Sequence, residues 1–175
     1  QGSAPARLRS QDGFSSLNAS ASAADGHVVE SQRALEAGRL EEALSAAGAA
    51  LLAEPGSAGG RLAKANALSR QGRWVEAERE AREAVLLDGH VGAAQRALAW
   101  SQLHVGKNAE AEQAAARALK LNPRDAEAYA LRSFARERLG KRDAMLSGLR
   151  RAALIDPRRF ERLLKRAEKG LGIFD

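Results

Sequence analysis

The three histidines are the side chains best suited to chemistry, because imidazole can ligate metal ions and transfer protons near neutral pH. His27, His90 and His104 lie far apart in the chain, without the cluster of further ligands that a zinc site needs. The chain has no cysteine, which excludes disulfides and cysteine-ligated zinc or iron–sulfur sites. We therefore predict no metal site.

Phosphate-binding and nucleophile motifs are also missing from the sequence. GSAGGR at 56–61 opens no strand–helix dinucleotide fingerprint, and GKN at 106–108 lacks the Ser/Thr and the upstream glycine of a phosphate loop. No Gly-x-Ser-x-Gly nucleophile elbow occurs. The acidic pairs Glu41/Glu42 and Glu76/Glu80 are predicted to lie on solvated helix faces. The sequence thus predicts a protein that has no catalytic residue, is not an enzyme and needs no cofactor.

The composition is typical of closely packed helices, since 45% of the residues are hydrophobic but only 4% are aromatic. No apolar run approaches the ~20 residues that span a bilayer, and no signal-peptide stretch is present. The compartment stays open, with the cytoplasm favoured over the periplasm. Gln1-Gly2-Ser3 looks like a protease-site or cloning remnant, so we expect an excised piece of a longer protein. The Ala/Arg-heavy composition suggests a bacterial source.

The elements that position the side chains repeat along the chain in units of equal length. Glycines mark the period at Gly38, Gly72, Gly106 and Gly140. Twelve residues after each glycine stand Ala50, Ala84, Ala118 and Ala152, and five residues after stand Ala43, Ala77, Ala111 and Met145. Each unit reads as two helices, which in the third unit are predicted at 93–105 and 109–121, with the glycine in the turn between them.

This pattern resembles the tetratricopeptide repeat. The resemblance implies an all-α fold, a right-handed α-solenoid of antiparallel helix pairs. The predicted parts are a flexible N-terminal linker or tag remnant at 1–23, repeats at 24–57, 58–91, 92–125 and 126–159, and a capping helix and tail at 160–175. The large residue expected early in each first helix is present only as Tyr129, since His27, Arg61 and Gln95 occupy the other places.

The capping helix is predicted over Arg158 to Lys169, because a solenoid needs a polar-backed end. Its apolar face holds Phe160, Leu163, Leu164 and Ala167, and its predicted solvent face holds Arg162, Lys165, Arg166 and Lys169.

By the same resemblance, the first helix of each unit lines a concave groove. Trp100 and Phe134 hold equivalent places in successive units, so we expect them side by side as an aromatic platform, unless they only pack against neighbouring helices. Trp74 is instead predicted to be core. The predicted partner-binding residues are Leu62, Asn66, Arg70, Arg96, Trp100, His104, Phe134 and Arg138.

The predicted function is a non-catalytic adaptor or assembly scaffold that holds a peptide or helix with apolar anchors and some acidic residues. The alternative is a chaperone-like or regulatory domain that binds its own chain or a secretion client. The lysine/arginine/asparagine clamp that some family members use on heat-shock chaperones is not expected, because Val28, Gln32, Leu62, Ala93, Ala97, Glu127 and Leu131 occupy its places, with only Asn66 and Arg96 suggestive.

The net charge of +6 is unevenly distributed. The first unit has two basic and six acidic residues, whereas the fourth has nine basic and four acidic. Because acids alternate with most of the arginines, the sequence argues against nucleic-acid binding. Self-association is a further hypothesis, through the capping helix or through residues 1–23, whose GFSSL stretch with Phe14 and Leu17 is a candidate occupant of the groove.

Overall fold

A computed structural model describes the backbone of residues 11–172 and the side chains of residues 23–172. Nine α-helices and no strand occur in this part of the chain. They are α1 Gln11–Glu36, α2 Leu40–Ala53, α3 Ala58–Arg70, α4 Trp74–Leu87, α5 Gly92–Val105, α6 Asn108–Leu121, α7 Ala126–Arg138, α8 Arg142–Ile155 and α9 Pro157–Glu168. The prediction of an all-α solenoid is confirmed.

The helices pack in the order in which they occur in the chain. Each helix contacts the next one, so α1/α2, α3/α4, α5/α6 and α7/α8 form pairs. The first helices also contact each other in a row, α1 to α3, α3 to α5 and α5 to α7. This row forms the inner layer that carries the candidate site, and the second helices form the outer layer.

The turn within each pair is closed by a glycine in the left-handed conformation. Gly38, Gly72, Gly106 and Gly140 have φ between 70° and 87°. A side chain at such a φ would clash with the following carbonyl group, and glycine avoids this cost. The recurring glycines therefore set the sharp reversal between first and second helix in every unit.

Helix α1 begins earlier than the sequence analysis predicts. It starts at Gln11, so its backbone extends into the segment predicted as a flexible linker. Residues 1–10, and the side chains of Phe14 and Leu17 in the GFSSL stretch, lie outside the described part of the structure. In the third unit the predicted helices differ from α5 and α6 by one residue at the start of each.

The core between the helices is built largely from alanine. The alanines that follow each glycine by twelve residues are fully buried, and so are the three that follow by five residues. Met145, which takes the place of the fourth, is also buried. Small side chains at these positions let the helices approach closely.

Replacing Ala118 with leucine is expected to lower the free energy of unfolding by about 1–3 kcal/mol, because three further carbon atoms must enter a filled junction. Ala118 packs with Leu119, Ala128 and Tyr129 where α6 meets α7. Urea unfolding followed by circular dichroism would measure the change. The matched control is Ala116→Leu on the same helix, at a position that is only partly buried. Equal losses in the two variants would contradict this account.

The second unit replaces apolar packing with a buried ionic cluster. The Glu80 side chain on α4 is 2% exposed, and its carboxylate pairs with Arg61 at 2.8 Å and Lys64 at 3.0 Å, both on α3. The prediction that Glu80 lies on a solvated face is therefore wrong. Arg61 occupies the place of the large residue expected early in the first helix, and its charge requires an acid opposite it.

Ion pairs also join neighbouring units. Glu78 on α4 pairs with Lys107, and Glu112 on α6 pairs with Lys141, each at 2.7 Å. The second pair is the first one moved along the chain by one repeat. In both pairs a glutamate of one second helix binds the lysine just before the next, which fixes the orientation of one unit on another.

Acidification should destabilise the chain through these carboxylates. The pKa of Glu78, Glu80 and Glu112 lies below its ordinary value of 4.5; burial alone would raise it, but hydrogen bonds with lysine and arginine outweigh burial. The folded chain thus holds these protons more weakly than the unfolded chain. The stabilisation by these ionised carboxylates is complete above the ordinary pKa of the unfolded chain. It is lost as the pH falls from that pKa towards the lowered pKa of the folded chain.

We therefore expect the free energy of unfolding in urea to decline as pH falls below about 5. The matched variant is Glu112→Gln, which cannot lose a charge at this position. It should be less stable than the wild type at neutral pH and approach it at about pH 3. A stability difference that is the same at both pH values would contradict this assignment.

Helix α9 covers the end of the array as predicted. Phe160 and Ala167 are buried, and Leu163 and Leu164 pack with them against α7 and α8. Arg162, Lys165 and Lys169 are exposed. Arg166 differs from its prediction, because it is half-buried and donates a hydrogen bond to the carbonyl of Gly172.

Candidate functional site

The inner layer encloses a groove with a cavity of about 730 Å³. Its lining comes from all four first helices and from α9. The lining residues are Gln32, Leu35, Glu36, Asn66, Ser69, Arg70, Ala93, Arg96, Ala97, Trp100, Glu127, Ala130, Leu131, Phe134, Arg159, Phe160 and Leu163. Polar residues predominate on α1 and α3, and apolar residues predominate on α5, α7 and α9, so the groove has a polar half and an apolar half.

Two aromatic residues form much of the apolar half. Trp100 and Phe134 both line the cavity, and both are half-buried where they pack on the core of α5 and α7. Phe160 and Leu163 of α9 extend this surface. Each ring is partly buried in the fold and its exposed part lies in the groove, which is the arrangement of an apolar anchor site.

Trp100 belongs to a cluster of three aromatic rings. Its ring centroid lies 6.2 Å from that of Trp74 and 4.5 Å from that of His104, both in edge-to-face contacts. The Trp74 and His104 rings stack in parallel, with their centroids 3.7 Å apart. Trp74 is half-buried and forms one side of this cluster, whereas the sequence predicts it to be core. The cluster fixes the orientation of the Trp100 indole at the edge of the groove.

His104 and Arg138 have structural roles in this region. Burial, and then the positive charge of Arg138, hold the pKa of His104 below its ordinary value of 6.5. The imidazole is therefore neutral while stacked on Trp74. Arg138 donates a hydrogen bond to the carbonyl of Leu103 at 3.0 Å and so ties the end of α7 to α5.

Charged side chains at the start of the inner helices form a connected network along one rim. Arg96 on α5 pairs with Asp125 at 2.8 Å and approaches Glu127 at 3.5 Å. Glu127 on α7 in turn pairs with Arg159 on α9 at 2.6 Å. Asp125 also caps α7 by accepting a hydrogen bond from the backbone N–H of Ala128. The network balances the charge of both arginines and holds three helices in register.

The polar half has fewer internal contacts. Asn66 and Arg70 lie one turn apart on α3, both exposed and both lining the cavity. Glu36, the last residue of α1, lies in the same half and accepts a hydrogen bond from Gln32 at 3.4 Å. Within residues 23–172, no ion pair involves Glu36 or Arg70.

The structure brings five of the eight predicted partner-binding residues together around the cavity: Asn66, Arg70, Arg96, Trp100 and Phe134. Leu62, His104 and Arg138 do not line it. Sequence reasoning does not place Arg159, Phe160 and Leu163 in the groove. It assigns the apolar stripe of α9 to capping alone, and the same stripe is the signal that could have revealed a second role.

The described part of the chain contains no cluster of histidine and acidic residues that could hold a metal ion. In the same part, none of the helices has the length and apolar character that crossing a membrane requires.

Comparison with known proteins identifies the architecture. No family model matches the sequence, and no curated protein sequence matches it. The first tetratricopeptide-repeat domain of RPAP3 (Spaghetti), solved with the HSP90 peptide SRMEEVD, is similar with a TM-score of 0.65 and 21% identity, over 69% of this chain and 95% of that one. TTC0263, a tetratricopeptide-repeat protein of Thermus thermophilus, has a TM-score of 0.71 and 18% identity over 77% and 75%.

A MamA protein is similar over 85% of this chain and 82% of that one, with a TM-score of 0.70 and 19% identity. The regular period, the left-handed glycine in every pair and the buried alanines agree with these structural likenesses. The chain therefore adopts the tetratricopeptide-repeat fold, an α-solenoid with α9 as its cap.

Proposed function

We propose that this chain is a non-catalytic protein–protein interaction module that holds a peptide or helix of a partner in its concave groove. The observation that carries the proposal is the apolar half of the groove, where Trp100, Phe134 and Leu163 line a cavity of about 730 Å³. Partly exposed aromatic rings in a concave surface are the usual anchors of peptide ligands.

One of the similar structures supports this mode of binding. The RPAP3 domain is described with a bound HSP90 peptide, and its fold is similar to that of this chain. The groove here differs in chemistry from a clamp for a terminal carboxylate, because Asp125 and Glu127 together neutralise Arg96 and Arg159. We infer a ligand that is held mainly by apolar anchors, with charged residues as secondary determinants.

A peptide selection would test the proposal without knowledge of the natural partner. A displayed random peptide library is panned on the wild type, and enriched peptides are then tested on Trp100→Ala and Phe134→Ala. We expect peptides with apolar anchors that lose binding to both variants. Circular dichroism would check that the variants remain folded. Enriched peptides that bind both variants with the same affinity as the wild type would overturn the proposal.

Charge-reversed variants distinguish nucleic-acid binding from peptide binding. Several basic residues of the fourth unit already have acidic partners, since Arg136 and Lys141 pair with Glu112, Arg150 with Glu168 and Arg159 with Glu127. Reversal of the charge at Arg158, Arg162 and Arg166 should leave peptide binding intact. Binding of single-stranded RNA that this reversal abolishes, with no peptide enriched, would favour nucleic-acid binding instead.

A further inference from the structure

The polar half of the groove indicates which charges the ligand carries. This inference rests on the proposed function. One equivalent position near the end of each first helix carries a polar side chain. The residues at this position in the four units are Glu36, Arg70, His104 and Arg138. Equivalent places in a repeat array form a row along its surface. The row therefore offers four neighbouring positions, which carry one glutamate, two arginines and one histidine.

Two positions of this row are occupied by contacts within the chain. His104 stacks on Trp74, and Arg138 donates to the carbonyl of Leu103. Neither residue lines the cavity. Glu36 and Arg70 are exposed, line the cavity and make no ion pair within residues 23–172.

The other charges of the cavity are already balanced. Arg96 pairs with Asp125, and Arg159 pairs with Glu127. Among the cavity-lining residues, Glu36 and Arg70 are thus the charged side chains left to meet charges on a ligand. Glu36 also lies at the negative end of the α1 dipole, where an acidic residue disfavours the helix, so helix stability does not account for it.

We propose that the ligand places a carboxylate against Arg70 and a basic side chain against Glu36, next to the apolar residues that it seats on Trp100 and Phe134. Arg70 presents a guanidinium that can hold a carboxylate in a bidentate pair, and Asn66 one turn earlier adds an amide donor. Helices α1 and α3 are in contact, so the two charges lie about one helix spacing apart, roughly 8–10 Å. The order of the two charges sets the direction in which the ligand lies.

The test is a panning of the same random peptide library on charge-reversed proteins. Arg70→Glu and Glu36→Lys are compared with the wild type and with Arg33→Glu, an exposed residue of α1 that does not line the cavity. Wild type and Arg33→Glu should enrich peptides with one acidic and one basic position beside the apolar anchors. Arg70→Glu should replace the acidic preference with a basic one, and Glu36→Lys should replace the basic preference with an acidic one.

Enriched peptides remade with an amidated C-terminus show whether the carboxylate is a side chain or the chain end. Retained binding assigns a side chain, and binding lost on amidation assigns the terminal carboxylate. Apolar consensus peptides with no charge preference, or with the same preference on all four proteins, would overturn the inference while leaving the proposed function intact. Failure to enrich any peptide that depends on Trp100 would count against the proposed function itself, and the inference would fall with it.

Discussion

Replacing Glu80 with alanine is expected to lower the free energy of unfolding by about 2–3 kcal/mol. The change leaves the charges of Arg61 and Lys64 between α3 and α4 without their acid. Removing one member of a fully buried pair costs about 3–5 kcal/mol. The smaller figure applies because the Arg61 and Lys64 side chains are each 30% exposed and can regain water. Urea unfolding at neutral pH measures the loss.

The other repeats provide the matched control for this experiment. At the places of Lys64 and Glu80 the third unit carries Leu98 and Ala114, and at the place of Arg61 the fourth unit carries Tyr129. The triple variant Arg61→Tyr, Lys64→Leu, Glu80→Ala should regain wild-type stability or exceed it, because apolar packing often equals or outperforms a buried ionic cluster. A triple variant as unstable as the single one would show that the cluster is not the cause of the loss.

Replacing Trp100 with alanine is expected to weaken the binding of a selected peptide by about 30-fold or more, which corresponds to about 2 kcal/mol. Trp100 lies in the apolar half of the groove and is oriented by Trp74 and His104. Fluorescence anisotropy with a labelled peptide measures the dissociation constant. Truncation removes both the anchor surface and the order that the ring cluster imposes on it.

Leu86→Ala is the matched control for this loss, since Leu86 is 72% exposed on α4 and does not line the cavity. Its affinity should equal that of the wild type. Because Trp74 and Trp100 are the two tryptophans of the chain, the Trp74→Phe variant leaves Trp100 as its sole indole. Peptide titration of that variant should shift its emission. An unshifted emission, or equal affinities for Trp100→Ala and wild type, would exclude Trp100 as an anchor.

The period of the sequence is enough to predict most of the fold. A glycine at the same place in every unit specifies a left-handed turn, and buried alanines at fixed offsets specify close helix contacts, as the φ values and burial show. These are local requirements, so they can be recognised in the sequence. The same register places Trp100 and Phe134 on the inner layer.

The features that sequence reasoning misses depend on pairs of residues far apart in the chain. Glu80 reads as a surface acid until Arg61 and Lys64, on the preceding helix, are seen to surround it. Arg96 reads as a free groove cation until Asp125 is found beside it. Sequence spacing gives the face on which a residue lies, but it does not give the partner that its charge finds across a helix interface.

The part that α9 plays in the groove links the stability of this helix to ligand binding. Leu163 is partly buried against α7 and α8 and lines the cavity beside the buried Phe160. Local unfolding of α9 would therefore remove part of the groove wall, and a bound ligand would oppose this unfolding. By reciprocity, the free energy by which a bound ligand protects α9 from amide exchange equals the binding free energy that the ligand loses when α9 opens.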